Sequence, residues 1–200
     1  MTNRKRRGFA CGIVGAVAVA WVALAPTLLV GSTRPIRARQ AMVVSQDALA
    51  SRVGDQVLRD GGNAVDAAVA TAFALAVTYP TAGNIGGGGF LVYRPAVGDA
   101  VAYDFRETAP ASATPTMFMR GGEYDRHVHH NSHLAVGVPG TVAGLHQAWS
   151  EHGSLSWERL VEPAMTLARE GFVVRDSLAR SLAAVLPRMA DYPASVAQFS

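Results

Sequence analysis

The side chains best suited to chemistry lie in Asp104-Phe105-Arg106-Glu107, a tetrapeptide with three charged residues. If this stretch is extended, Asp104 and Arg106 face one side of the strand and Phe105 faces the other. A guanidinium near a strand end can bind a substrate carboxylate through two parallel hydrogen bonds. The same residues also allow an ion pair between Arg106 and Asp104 or Glu107. The local chemistry favours neither role over the other.

A group of histidines follows this tetrapeptide and raises the question of a metal site: His127, His129, His130 and His133. No carboxylate cluster accompanies them at metal-ligand spacing, and zinc requires a fixed geometry with oriented outer-shell partners. The sequence therefore predicts a solvated loop with incidental histidines. We expect neither a metal nor another cofactor.

A serine-hydrolase triad could in principle combine Ser132, His133 and Asp104. The chain contains no Gly-x-Ser-x-Gly turn, which places the nucleophilic serine in one large class of such enzymes. Residue types alone do not supply the geometry of a triad. We therefore assign no catalytic residue in this chain.

Four consecutive glycines occupy residues 86–89. Phosphate-binding loops place their glycines between a strand and the N-terminus of a helix, whereas here an apolar helical pattern precedes the glycines and a strand pattern follows. A nucleotide site is therefore not expected. The glycines instead predict a close approach of two backbone segments, with positive φ angles, next to a site.

The surrounding elements follow from periodicity and capping patterns. Residues 41–45 have the composition of a buried strand, and Ser45 is a candidate cap for a helix ending near Asp60. Asn63 is a candidate cap for a second helix over residues 64–78, with Asp66 in its first turn. This helix is apolar on all sides, which predicts burial within a larger protein.

Beyond the glycines, the pattern changes to strands and then to helices. Residues 90–93 and 100–106 predict paired strands around a turn at 95–99, and residues 108–132 predict a loop-rich stretch. Further helices are predicted over residues 142–152, 157–170 and 176–186. The order indicates an α+β fold in which helices pack on both sides of a hairpin-like sheet.

The N-terminus has the layout of an export sequence. A basic cluster at residues 4–7 precedes an uncharged apolar run at residues 8–30, which predicts a signal peptide or a membrane anchor within residues 1–32. A basic linker at 33–40 then leads to the remaining domain at 41–200. The chain's one cysteine, Cys11, lies in the apolar run, so the exported part has no disulfide. We expect a periplasmic or secreted protein, or one anchored on the outer face of the cytoplasmic membrane and touching it only through residues 8–30.

The net charge is distributed unevenly. The whole chain has a formal charge of +3, but residues 1–40 contain seven basic and no acidic residues. The remaining 160 residues contain eleven basic and fifteen acidic residues, a net charge of −4. This balance gives no electrostatic reason to expect nucleic-acid binding.

Five sequence blocks resemble the γ-glutamyltranspeptidase family, and they occur in the family's order. They are DGGNAVDAAVA (residues 60–70), PTAGNIGGGGF (80–90), DFRETAP (104–110), GVPGTVAG (137–144) and LVEPAMTLAREG (160–171). The similar region extends from about residue 41 to at least residue 176. The resemblance identifies the chain with the N-terminal part of the family's large subunit.

The resemblance implies a fold and a reaction. Family members are N-terminal-nucleophile hydrolases with an αββα sandwich, of which this chain would contain only a part. Their precursor cleaves itself before a threonine, which becomes the nucleophile of the small subunit. The enzyme transfers a γ-glutamyl group from a donor such as glutathione to water or to an amino acid. By the same resemblance Arg106 binds the α-carboxylate of the glutamyl group, and Asn84 with the glycines forms scaffold near the pocket.

The blocks match only the front of the large subunit and include no processing threonine. We therefore expect a fragment or truncated product of an exported γ-glutamyltransferase or glutathione hydrolase, whose activity requires the small subunit from the same precursor. Two alternatives remain. One is a related acylase or poly-γ-glutamate-processing enzyme, and the other is an inactive exported scaffold protein.

Overall fold

A computed structural model describes residues 35–199. The predicted signal or anchor at residues 1–32 lies outside the described residues. The α-helices within this range are α1 (Ala48–Arg59), α2 (Ala64–Thr78), α3 (Arg126–Asn131), α4 (Thr141–His152), α5 (Trp157–Glu170), α6 (Asp176–Val185) and α7 (Pro193–Phe199). The strands are β1 (Phe90–Tyr93), β2 (Val101–Asp104), β3 (Met119–Arg120) and β4 (Glu123–Tyr124). Short 3₁₀ turns cover His133–Ala135 and Leu186–Met189. Between residues 35 and 199, every helix is too short or too polar to cross a membrane.

The segment before α1 differs from its prediction. Residues 41–45 are irregular rather than a strand, and Val44 is 81% exposed. The N-cap of α1 is Asp47, whose carboxylate accepts hydrogen bonds from the backbone N–H groups of Leu49 and Ala50. Ser45, the predicted cap, instead donates its hydroxyl to the Asp47 carbonyl at 2.8 Å. The cap thus lies two residues later than predicted because the aspartate directly precedes the helix.

Helix α2 begins with the predicted cap. The Asn63 side chain accepts hydrogen bonds from the N–H groups of Val65 and Asp66, and the Asp66 carboxylate accepts one in return from the Asn63 N–H. This reciprocal capping box satisfies N–H groups that have no partner inside the helix. The predicted boundaries of α2, residues 64–78, are confirmed.

Asp66 also connects α2 to a distant part of the chain. Its side chain is fully buried, and it accepts hydrogen bonds from the Ser154 N–H at 3.0 Å and the Ser154 hydroxyl at 2.6 Å. The Asn63 side-chain amide donates to the His152 carbonyl at 2.6 Å. These bonds fix the turn between α4 and α5 against the start of α2.

The hydrophobic core surrounds α2, which packs against α1, α4 and α5. Val69 and Leu160 have no exposed surface. Phe73 of α2 meets Trp157 of α5 edge-on, with ring centroids 5.4 Å apart. The predicted burial of α2 is confirmed along most of its length, since Ala64 and Ala68 alone among its residues are exposed. The predicted α5 is also confirmed, and it ends at Gly171 with a φ of 78°.

Strands β1 and β2 form the predicted antiparallel hairpin, with Leu91 opposite Tyr103. Leu91 and Tyr103 face the core, and β2 contacts α4. On the other face Phe90 is 65% and Val92 is 72% exposed. The sequence predicted helices on both faces of this hairpin, but in the described part of the chain they cover only one.

The predicted loop at residues 108–132 contains local structure. Met119–Arg120 and Glu123–Tyr124 pair as a second small hairpin. His127, His129 and His130 lie on α3 rather than in a loop, because Asp125 caps this helix through the Val128 N–H. Across residues 35–199, no group of three or more potential metal ligands converges.

A hydrogen bond between Tyr103 and Glu151 joins the hairpin to α4. The phenol donates to the carboxylate at 2.6 Å, and this bond, with burial, raises the pKa of Tyr103 from 10.0 to about 12. Since folding raises this pKa, the stabilisation is present below pH 10 and is lost as the pH rises through about 12. The same bond lowers the pKa of Glu151. The stabilisation that comes from the Glu151 carboxylate is therefore present above the ordinary glutamate pKa and is lost as the pH falls into the acid range.

We expect ultraviolet titration of the folded protein to show one tyrosine ionising near pH 12. Glu151→Gln retains an acceptor but removes the charge, so it should move this ionisation towards the ordinary range. Tyr103→Phe should remove it altogether. If all tyrosines titrate in their ordinary range in the wild-type protein, the Tyr103–Glu151 bond is not present in solution.

Candidate functional site

The backbone at Phe105 and Arg106 is enclosed by glycines from two other segments. A Cβ atom at Gly88 would lie 2.6 Å from the Phe105 carbonyl oxygen and 2.7 Å from the Arg106 Cα. A Cβ at Gly140 would likewise overlap the Phe105 carbonyl. Both positions therefore require glycine, because any side chain would displace the backbone that presents Arg106.

Hydrogen bonds extend this enclosure in both directions along the chain. Gly89 and Phe105 exchange backbone hydrogen bonds of 3.4 and 3.1 Å, which continue the β1–β2 ladder. Thr108 and Val138 exchange a second pair of 3.3 and 2.9 Å. The segment that contains Arg106 is thus fixed at both ends.

The side chains of this segment alternate as predicted. The Phe105 ring packs against Gly144, where a Cβ would overlap it, and joins the core. Asp104 and Arg106 are exposed. The Asp104 carboxylate accepts a hydrogen bond from the backbone N–H of Arg106 at 3.1 Å. Within residues 35–199, no carboxylate lies within 4.0 Å of the Arg106 guanidinium, so the alternative ion pair with Asp104 or Glu107 is not formed there.

The loop at residues 84–89, which we call the glycine loop, is attached to the start of α4. The Asn84 side-chain oxygen accepts hydrogen bonds from the Gly87 N–H at 3.0 Å and from the Thr141 hydroxyl at 2.6 Å. The Gly87 carbonyl accepts from the N–H groups of Gly140 and Thr141 at 2.8 and 3.1 Å. The predicted close backbone approach is confirmed.

The predicted backbone conformation of the four glycines is wrong. The glycines with positive φ in the described chain are Gly61, Gly98, Gly121, Gly122 and Gly171, and none lies in residues 86–89. At Gly88 and Gly89 the absence of a side chain instead provides room for the segment at residues 105–107.

Arg106 lies at one wall of an open cleft of about 430 Å³. Residues 106–110 form this wall, and the remaining lining comprises Ala113, Met117, Phe118, His129 and residues 134–137. This volume is in the range of small-molecule sites. A guanidinium on a fixed backbone beside such a cleft can bind a carboxylate.

His129 lines the cleft as well, a position that the sequence did not predict. Its ring stacks on Phe118 with centroids 4.3 Å apart, and its Nδ1 lies 2.6 Å from the Tyr124 hydroxyl. No spacing in the sequence relates His129 to Arg106, since the fold of the 108–132 segment brings them to one cleft.

The other candidate side chains do not assemble a triad. The Ser132 hydroxyl donates to the Val128 carbonyl at 2.6 Å, which ties it to α3. His133 instead lies edge-on to Tyr192, with ring centroids 6.3 Å apart. The arrangement therefore favours binding at Arg106 over nucleophilic chemistry by Ser132.

Comparison with known proteins gives a consistent family match. A family model described as gamma-glutamyltranspeptidase matches residues 50–200. Among curated proteins, the glutathione hydrolase proenzyme of Escherichia coli (strain K12) is 53% identical over 149 residues, covering 74% of this chain and 26% of that protein. The chain spans about a quarter of the length of the curated relatives it matches.

Solved structures give the same result for the fold. The crystal structure of Helicobacter pylori gamma-glutamyltranspeptidase matches with a TM-score of 0.78 and 44% identity, covering 80% of this chain and 47% of that one. The Bacillus anthracis transpeptidase enzyme CapD matches with a TM-score of 0.62 and 32% identity, covering 76% and 47%. The predicted α+β fold, present here as part of a larger one, is confirmed.

Proposed function

Because the chain belongs to the γ-glutamyltranspeptidase family, we propose that it forms part of an enzyme that transfers a γ-glutamyl group. The donor is glutathione or a similar compound, and the acceptor is water or an amino acid. The E. coli relative is named a glutathione hydrolase proenzyme, which supports hydrolysis of glutathione as one outcome. The observation that carries the proposal is the guanidinium of Arg106, which has no carboxylate partner among residues 35–199 and lies on a fixed backbone beside the cleft.

Arg106 binds the α-carboxylate of the γ-glutamyl group in this proposal. A guanidinium presents parallel N–H donors that match the two oxygens of a carboxylate. Fixing the backbone on both sides reduces the conformational freedom that is lost when the substrate binds. The exposure of the side chain leaves these donors available for a ligand.

The reacting groups belong to another part of the same precursor. We assign the nucleophile to a threonine of the small subunit, with its own α-amine as the base. The residues of the present chain bind and orient the donor, so that the threonine meets the γ-carbonyl. The proenzyme name of the E. coli relative supports a precursor that is processed.

The protein is exported in this proposal. The basic cluster at residues 4–7 and the uncharged apolar run at residues 8–30 support it. The compact unit that begins at Ala41 is then the exported part.

The proposed function is tested with the protein expressed from its complete reading frame and three anilide substrates. The γ-glutamyl anilide has both the α-amine and the α-carboxylate, the glutaryl anilide lacks the amine, and the 4-aminobutyryl anilide lacks the carboxylate. We expect rapid release of the aniline from the γ-glutamyl compound, with γ-glutamyl product formed when an amino-acid acceptor is added. Release from the 4-aminobutyryl compound should be slowest, because it offers Arg106 no carboxylate.

The same assay distinguishes the alternatives. Preference for the glutaryl compound would indicate an acylase, and absence of turnover with all three would support an inactive scaffold. Equal turnover of the γ-glutamyl and 4-aminobutyryl compounds would contradict carboxylate recognition.

A further inference from the structure

We propose that Asn84 and Thr141 are positioning residues for Arg106, which act by fixing the glycine loop against its backbone. Neither residue lines the cleft, and their side-chain hydrogen bonds go to each other, to Gly87 and to Ala82. This inference rests on the proposed function, because it assigns their effect to substrate binding at Arg106. Nothing in the sequence alone relates two residues that are 57 positions apart.

The first step of the argument is the contact between Asn84 and Thr141. One side-chain oxygen of Asn84 accepts from both the Thr141 hydroxyl at 2.6 Å and the Gly87 N–H at 3.0 Å. The Asn84 amide nitrogen donates to the Ala82 carbonyl at 3.1 Å. Asn84 therefore sets the shape of the loop at its beginning and connects it to α4.

The second step is the way in which α4 begins. Its N-cap is Gly140, which has no side chain to accept from the first N–H groups of the helix. The Gly87 carbonyl accepts from the N–H groups of Gly140 and Thr141 instead. The glycine loop thus replaces a side-chain cap, so the loop and the helix start form one hydrogen-bonded unit.

The third step connects this unit to Arg106. Gly88 follows directly after the bonded Gly87, and a Cβ there would lie 2.7 Å from the Arg106 Cα and 2.6 Å from the Glu107 nitrogen. A shift of the loop would therefore displace the backbone that presents the guanidinium. Thr141 is only 7% exposed, so water cannot readily replace its hydrogen bond to Asn84.

The test begins with two variants of Thr141 in the protein expressed from its complete reading frame. Thr141→Val retains the shape and removes the hydroxyl, whereas Thr141→Ser retains the hydroxyl. We expect Thr141→Val to raise KM for the γ-glutamyl anilide about five- to tenfold, the equivalent of one lost hydrogen bond, with little change in kcat. Thr141→Ser should recover most of this loss. Thr81→Val, which alters an exposed threonine outside the cleft, should leave KM unchanged.

The decisive measurement combines Thr141→Val with Arg106→Ala. If Thr141 acts through Arg106, its effect on KM should disappear once the guanidinium is absent. Fold-changes that multiply in the double variant would overturn the inference and indicate a merely structural role. If Arg106→Ala alone leaves KM unchanged, the role of Arg106 in the proposed function fails instead, and the two failures are distinguishable.

Substitutions of Asn84 provide an independent test in case Thr141→Val does not fold. Asn84→Ala removes the same hydrogen bond together with those to Gly87 and Ala82, whereas Asn84→Asp retains the accepting oxygen. We expect Asn84→Ala to raise KM at least as much as Thr141→Val does, and Asn84→Asp to raise it less. If both removals leave KM at the wild-type value in proteins with wild-type melting temperatures, the inference is wrong.

Discussion

Arg106→Ala is expected to raise KM for γ-glutamyl donors about 30- to 900-fold, which corresponds to a loss of about 2–4 kcal/mol of binding free energy. The reason is the loss of a bidentate, charge-assisted contact to the α-carboxylate. Because this contact forms with substrate and transition state alike, kcat should change much less than KM. Initial rates with the γ-glutamyl anilide over a wide concentration range provide the measurement.

Two controls separate carboxylate recognition from general damage. Arg106→Lys retains the charge but not the planar arrangement of N–H donors, so its KM should lie between those of the wild-type protein and Arg106→Ala. Arg94→Ala removes an exposed arginine just after β1 and should leave KM unchanged. The assignment of Arg106 is untenable if Arg106→Ala binds the donor with wild-type KM, or if Arg94→Ala weakens binding equally.

Asp66→Ala is expected to lower the free energy of unfolding by about 2–4 kcal/mol. The substitution removes one half of the capping box of α2 and leaves the Ser154 N–H and hydroxyl without their acceptor. Both consequences arise at a buried position, where water cannot readily take over the role of the carboxylate. Urea denaturation monitored by circular dichroism measures this change in the free energy of unfolding.

The matched control for Asp66 is Asp55, an aspartate on α1 that forms a solvent-exposed ion pair with Arg59 at 2.8 Å. Exposed pairs of this kind contribute about 0–1 kcal/mol, so Asp55→Ala should have a small effect. Ser154→Ala removes one of the donors to Asp66 and should give an intermediate loss. Similar losses for Asp66→Ala and Asp55→Ala would show that the buried network contributes no more than a surface pair.

Local patterns predicted the helices well, since their information lies within a few residues. Asn63 and Asp66 are three residues apart and form the capping box that marks the start of α2. Gly171 directly follows α5 and adopts the left-handed conformation that ends many helices. For these elements, neighbouring residues are sufficient to decide the structure.

Prediction failed where a distant segment decides the outcome. Residues 41–45 have the apolar composition of a buried strand, but in the described chain they have no strand partner. The glycines at 86–89 suggested unusual φ angles, whereas Gly88 instead leaves room for the backbone at Phe105 and Arg106. A sequence pattern cannot tell a glycine that turns the chain from one that makes room for another segment.

Some features of the candidate site could likewise be predicted from the sequence, and others could not. The alternation of Asp104, Phe105 and Arg106 follows from the pleat of a strand and could be predicted. The absence of an ion pair at Arg106 within residues 35–199 could not be predicted, because side-chain rotamers and long-range packing determine it. The presence of His129 in the same cleft depends on the path of the intervening chain.

The bonds between Asp66 and Ser154 also bear on the order in which the chain folds. These residues are 88 positions apart, whereas α1 and α2 are neighbours along the chain and contact each other directly. Closing a long loop costs more conformational entropy than closing a short one, so we expect the α1–α2 pair to form early. Until α5 docks, the carboxylate of Asp66 has only its own helix start as a partner. The docking of α5 then removes this carboxylate from water, and we infer that this late step makes the folding of the unit cooperative.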